Sequence, residues 1–225
     1  MRVPPELRCR PHGAPLEPSG GVVDRRDLRF AEALRCLAGC RVPIVRGIPR
    51  FVESDGYAAA FGWQWMQFRR SQLDSYTTTT ISRDRLARCL GGSLDAVRGK
   101  TVLEAGCGAG RFTEILLAAG ARVVAADLSS AVDANYANCG HAKQYFVCQA
   151  DIRALPVAPH SFDAVVCLGV IQHTPAPEET IAALAGYVKP GGLLAIDHYS
   201  REYPITPVRR LLRDVILRLD PVRGR

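Results

Sequence analysis

No stretch of this chain approaches the roughly 18 consecutive apolar residues that a membrane-crossing helix needs, so no segment is expected to span a bilayer. Nothing at its start pairs a basic stretch with an apolar run and a small-residue cleavage site, the pattern of a secretory leader. The eight cysteines (9, 36, 40, 89, 107, 139, 148 and 167) are scattered, unlike the dense spacing of a small disulfide framework. These absences together lead us to expect a reducing, cytoplasmic setting. Lysine is nearly missing, with only Lys100, Lys143 and Lys189 among 29 basic residues. The arginines are interspersed with acids and form no dense basic run, so nucleic acid is disfavoured as a partner.

What is present suits one ordinary globular domain with a small appendage: 225 residues, 48% apolar and 23% charged. Residues 101–200 carry 5 basic against 9 acidic side chains, which leaves a mildly acidic middle between basic ends. Residues 1–54, rich in Arg, Pro and Gly, read as a small β-rich unit with a turn at Arg46-Gly47. Residues 55–98 read as a helical cap or linker. An aromatic cluster (Tyr57, Phe61, Trp63, Trp65, Phe68) precedes a helix near 82–90 that Gly91-Gly92 stops.

From 99 onward short apolar runs alternate with helical segments. Strands are expected over 101–104, 122–126, 145–148, 162–168 and 193–197. Helices are expected near 110–119, 130–138 and 178–187, with only a short connection at 151–160. Strand, crossover, strand at this spacing implies an α/β, Rossmann-like fold: a mostly parallel sheet with helices on both faces. Its ligand crevice belongs at the carboxyl ends of the strands.

The run Thr101-Val-Leu-Glu104-Ala-Gly106-Cys-Gly108-Ala-Gly110-Arg111 puts a glycine turn between the first strand and the first helix. Glycines there let the backbone turn tightly and approach a ligand where a Cβ would collide. Arg111 stands where a dinucleotide fingerprint needs its third glycine, which argues against a nicotinamide cofactor. Carboxylates close the first three strands: Glu104, Asp127 and Asp151. Asp127, 21 residues beyond Gly106, is placed to accept two ribose hydroxyl hydrogen bonds.

This ordered set of motifs, with Ser161-Phe-Asp-Ala-Val-Val-Cys-Leu-Gly-Val-Ile-Gln-His173-Thr and Val188-Lys-Pro-Gly-Gly, resembles the class I S-adenosylmethionine-dependent methyltransferases. The likeness is to the small-molecule type related to quinone-biosynthesis methyltransferases. It implies that Gly106 and Gly108 pass the methionine part of S-adenosyl-L-methionine, with Glu104 close beneath. It implies further that Asp127 takes the ribose, Leu128 the adenine face, and Asp151 with Ile152 the adenine edge. His173, after the fourth strand, is the candidate general base for the acceptor's proton; Asp197, His198 and Tyr199 are weaker candidates. The acceptor expected is a small molecule. The competing readings are an RNA methyltransferase and a cofactor-binding remnant without turnover.

In the appendage, Cys9-Arg-Pro-His12 and Cys36-Leu-Ala-Gly-Cys40 form two knuckle-like pairs that could hold a tetrahedral Zn²⁺ through three thiolates and one imidazole. A ribbon folding without metal is the alternative. The phrase Val42-Pro-Ile-Val-Arg-Gly-Ile-Pro-Arg-Phe51 resembles the closing strand of Trm112-like zinc ribbons. After Asp197 an amphipathic helix over 207–219 takes up much of what remains, so the sheet is expected to end at its fifth strand. An open edge of that kind, or the helix, could serve a homodimer.

Overall fold

The computed structural model describes residues 1–20 and 28–198; the helix expected over 207–219 and Tyr199 lie outside them. The apolar runs of the second half form five strands: β5 (Thr101–Ala105), β6 (Arg122–Asp127), β7 (Tyr145–Gln149), β8 (Phe162–Leu168) and β9 (Val188–Asp197). They pair in the order β7-β6-β5-β8-β9, every neighbour parallel. Strands of such a sheet are buried on both faces, which is why they read as continuous apolar runs. β9 begins five residues earlier than expected, because Val188 pairs with Phe162 ahead of a register shift and the regular ladder resumes at Leu193.

The side-chain alternation of the strands sorts them into two buried clusters. Val102, Val123, Ala125, Val147 and Val166 face helices α3 (Ile81–Cys89), α4 (Thr113–Ala118) and α5 (Ala131–Cys139) through Leu86, Ile115, Leu116 and Val132. Leu103, Val124, Phe146, Val165 and Cys167 face the other way, toward Leu184 of α6 (Pro177–Ala185). On that second face the connection from β7 to β8 contains no α-helix, only a 3₁₀ turn at Ile152–Ala154.

The N-terminal unit fills the space. Its strands β1 (Glu17–Ser19), β2 (Ala33–Arg35), β3 (Arg41–Val45) and β4 (Ile48–Pro49) form an antiparallel sheet. Arg46 and Gly47, both in the left-handed region (φ 54° and 79°), make the two-residue turn between β3 and β4. Leu7, Leu16, Leu28 and Leu34 of this unit are buried in one cluster with Val124, Phe146, Ile152 and Leu155. At about 1.5–3 kcal/mol for each buried leucine, that makes the unit a layer of the core and not a tethered appendage. Leu7 bridges Val157, the Arg8 N–H donates to the Pro156 carbonyl (2.7 Å), and Arg122 forms an ion pair with Glu6.

Between the two halves run α1 (Ala59–Gln67) and the short α2 (Asp74–Thr77), leading into α3. α1 packs against α5, which sets it over the carboxyl ends of β5 and β6.

Candidate functional site

The chain leaves β5 through Gly106 (φ 77°), Gly108 (φ 47°) and Gly110 (φ 99°), so α4 starts at Thr113, three residues later than the glycine pattern suggests. A Cβ on Gly106 would lie 2.4 Å from Val170 Cγ2, and at φ 77° an L side chain is also strained. This turn, the β6 and β8 ends, and α1 enclose a cavity of about 270 Å³. Gly106, Gly108, Asp127, Leu128, Ile152 and His173, all singled out from the sequence, line it together.

Asp127 is held by the glycine turn. Its Oδ2 accepts the Gly108 N–H at 2.9 Å, and its Oδ1 accepts the Ser129 N–H (2.8 Å) and O–H (2.7 Å). Burial pushes its carboxyl up, more than these hydrogen bonds lower it, and the nearby Asp55 charge adds to the rise. Leu128 and Ile152 supply apolar wall beside it.

Glu104 and Asp151 do not line the cavity. Glu104 is buried below the turn, 3% exposed, and accepts the Thr113 O–H at 2.5 Å. Behind it runs a buried relay: the Tyr145 O–H donates to Asn135 Oδ1 (2.8 Å), and Asn135 Nδ2 donates to Thr113 Oγ1 (3.0 Å) and to the Cys107 carbonyl (3.3 Å). Burial pushes the Glu104 carboxyl up to about 8, with the Asp127 charge adding and the Thr113 bond opposing. Asp151 instead caps the Ile152–Ala154 turn and accepts from Arg153 N (2.9 Å), Nε (3.1 Å) and Nη2 (2.8 Å). Burial pushes its carboxyl up, but these bonds outweigh it and hold it below the usual range. Three carboxylates at three successive strand ends therefore do not converge on one crevice. A strand end fixes where a Cα sits, and each side chain then follows its own nearest donor.

His173, on the turn Ile171–His173, is exposed at the cavity mouth, its ring tilted 58° against Phe61 with centroids 4.9 Å apart. Phe61 and Trp65 of α1 face the cavity, as do Tyr57 and Ala58 before it, whereas Trp63 and Phe68 (each 57% exposed) point outward. Asp197 is engaged elsewhere: its Oδ2 accepts Arg85 Nε (2.9 Å) and Nη2 (2.5 Å), and its Oδ1 accepts the Gly169 N–H (2.5 Å). His198 is exposed.

Arg85 and Arg111 also line the cavity, and both guanidinium groups lie over the Phe112 ring at 5.6 and 5.1 Å from its centroid. Sequence reasoning took Arg111 only as the residue that breaks a dinucleotide fingerprint, not as cavity wall, and nothing local marks Arg85 among the many arginines. It also missed Asp55 and Gln149, whose contact spans 94 residues.

In the N-terminal unit Cys9, His12, Cys36 and Cys40 come together, their ligand atoms all within 4.8 Å of one another. His12 Nδ1 lies 3.5, 3.7 and 3.4 Å from the sulfurs of Cys9, Cys36 and Cys40. Both knuckles are built by tight turns: the Gly13 N–H donates to the Cys9 carbonyl (2.8 Å) and the Gly39 N–H to that of Cys36 (3.0 Å), each glycine at positive φ. Three sulfurs and one imidazole nitrogen converging this closely fit a tetrahedral metal ion.

Residues 103–196 match the family model described as a methyltransferase domain. Over this stretch, somewhat under half of the chain, the protein is similar to methyltransferase domains. Among curated relatives it is similar to the ubiquinone biosynthesis O-methyltransferase of Coxiella burnetii, with 34% identity over 110 residues, 48% of this chain and 47% of that protein. The protein of the same name from Ralstonia nicotianae is 38% identical over 98 residues, 42% of this chain and 41% of the relative. The chain thus spans about half the length of the curated relatives it matches. A solved S-adenosylmethionine-dependent methyltransferase from Aquifex aeolicus superposes with a TM-score of 0.47 at 20% identity, covering 57% of this chain and 70% of that one. No helix among the described residues is long and apolar enough to cross a membrane.

Proposed function

We propose that this protein transfers a methyl group from S-adenosyl-L-methionine to an oxygen, nitrogen or carbon of a small-molecule acceptor. One observation carries the reading: Gly106, Gly108, Asp127, Leu128 and Ile152 line a single cavity that α1 covers with aromatic side chains. The glycine turn leaves room for a ligand, since the nearest atoms a Cβ on Gly108 would meet belong to Trp65, at 3.6 Å. In this reading Asp127 receives the ribose hydroxyls on the lone pairs left by its Gly108 and Ser129 donors, Leu128 lies on the adenine face and Ile152 at the adenine edge. Glu104 and Asp151 act as supports: Glu104 carries the turn from below, and Asp151 caps the turn that holds Ile152 in the wall.

The bound sulfonium would supply an electrophilic methyl carbon that already carries its leaving group. What remains for the chain is to orient the acceptor, exclude water and take a proton. Phe61, Trp65 and Leu73 make the water-excluding cover. His173, steadied by Phe61, is placed at the mouth to accept the acceptor's proton.

We assign the Cys9–His12–Cys36–Cys40 cluster to a structural Zn²⁺, closed by four protein donors with none left for catalysis. The free thiols suit a cytoplasmic setting. We divide the chain into a ribbon-like unit (1–54), a helical cap (55–98) and the methyltransferase domain (99–225). β9, an edge of the described sheet, is the surface we assign to pairing with a second copy.

The test is transfer of a labelled methyl group into fractionated metabolites and, separately, RNA. Label in a small-molecule fraction supports the proposal. Label only in RNA, or cofactor binding with no transfer to any fraction, would overturn it.

A further inference from the structure

Asp55 lines no part of the cavity, yet its carboxylate joins three segments that build it. Its Oδ2 accepts both the Ser130 N–H (2.9 Å) and the Ser130 O–H (2.7 Å), and its Oδ1 accepts Gln149 Nε2 (2.8 Å). Ser130 stands between the β6 end and α5, and Gln149 is the last residue of β7. Asp55 itself precedes the Gly56–Ala58 turn that leads into α1.

The neighbours leave this arrangement little freedom. Gln149 cannot turn its amide over, because Arg50 Nη1 donates to its Oε1 (3.1 Å) while Nε2 also donates to the Leu128 carbonyl (2.9 Å). Arg50 is fixed in turn by Asp133, with Nη2 at 2.8 and 2.9 Å from its two oxygens. α1 presses directly on the junction: a Cβ on Gly62 would stand 2.4 Å from Ser130 Oγ and 2.6 Å from Asp55 Oδ2. The one position in α1 buried against this contact thus has no room for any side chain.

The geometry points to Asp55 as a positioning residue for the cofactor, a latch that holds the cover carrying Tyr57, Ala58, Phe61 and Trp65 against the strand ends carrying Asp127 and Leu128. This rests on the S-adenosylmethionine reading of the cavity. Both oxygens of the carboxylate act as acceptors here, and all three of its contacts are donors. An amide in its place would turn an N–H toward one of them, and Gln149, held by Arg50, cannot adapt.

The test is calorimetric titration of S-adenosylhomocysteine into the full chain and its Asp55→Asn variant, with hydrogen exchange on both. Asp55→Asn should weaken binding about ten-fold or more, the scale of charge-assisted hydrogen bonds lost. Exchange should speed up over residues 56–68 while β5 and β6 keep their protection, a split that a general loss of stability does not give. Glu53→Gln, which neutralises an exposed carboxylate two residues earlier, should leave affinity unchanged. Affinity of Asp55→Asn within about two-fold of the parent, or exchange rising equally across the sheet, overturns the latch. Should Asp55→Asn fail to fold, Ser130→Ala decides: weaker binding with the same local exchange supports the latch, and unchanged binding overturns it. If the unaltered protein binds no S-adenosylhomocysteine, it is the cofactor reading that fails.

Discussion

Replacing Glu104 with Gln tests the electrostatics under the glycine turn. The amide keeps an oxygen for the Thr113 O–H and removes only the titration. In the folded protein burial pushes the Glu104 carboxyl up to about 8, against 4.5 for the ordinary group. A folded-state pKa above the unfolded one means that the native protein holds a proton the unfolded chain has lost. The group's contribution is therefore full below 4.5 and drains away as the pH rises through about 8. Each pH unit inside that window costs about 1.4 kcal/mol, so the unaltered protein should lose about 2–3 kcal/mol relative to Glu104→Gln between pH 5 and pH 7. Asp127, raised in the same direction, contributes to the slope of both proteins, and so the difference between them isolates Glu104. Urea unfolding followed by tryptophan fluorescence at pH 5, 6, 7 and 8 measures it. Stability curves that stay parallel over this range would refute the buried, protonated carboxyl.

Three further outcomes follow from the same geometry. His173→Ala should cut turnover by about 100-fold, the low end of general base catalysis, with cofactor affinity nearly unchanged; full activity would reduce the side chain to a loop residue. Gly106→Ala should destabilise the fold by about 1–3 kcal/mol and weaken cofactor binding, because its Cβ would meet Val170; thermal melting and calorimetry read the two effects. Elemental analysis should find zinc in the purified protein, and chelation or Cys36→Ala should lower the melting temperature, since the ribbon is a layer of the core. A melt indifferent to metal removal would contradict the assignment.

The inner strands were legible because they are buried and written as apolar runs, such as Val165–Leu168 in β8, whereas the edge strand β9 opens with the half-buried and exposed Val188-Lys-Pro-Gly-Gly and only its later part was read. The glycine turn and Asp127 were legible because local sequence fixes both the turn and the strand end beside it. Glu104 and Asp151 mark the limit of that reading. Both stand at strand ends, but Thr113 and Arg153 decide where their carboxylates go. The covering role of the N-terminal unit was hidden for a related reason: the clue is the helix that the 151–160 connection lacks, and only the packing of Leu7 and Leu34 against Phe146 shows what stands in its place. Asp55 left no local signal, since its partners Ser130 and Gln149 are 75 and 94 residues away.

The claim beneath all of this is that the glycine turn, the β6 end and α1 enclose an S-adenosylmethionine site, and calorimetric titration with that ligand tests it most directly. The account predicts saturable binding of one ligand per chain, lost in Asp127→Ala while the circular dichroism spectrum is kept. No saturable binding by the unaltered protein, or equal binding by Asp127→Ala, would contradict it.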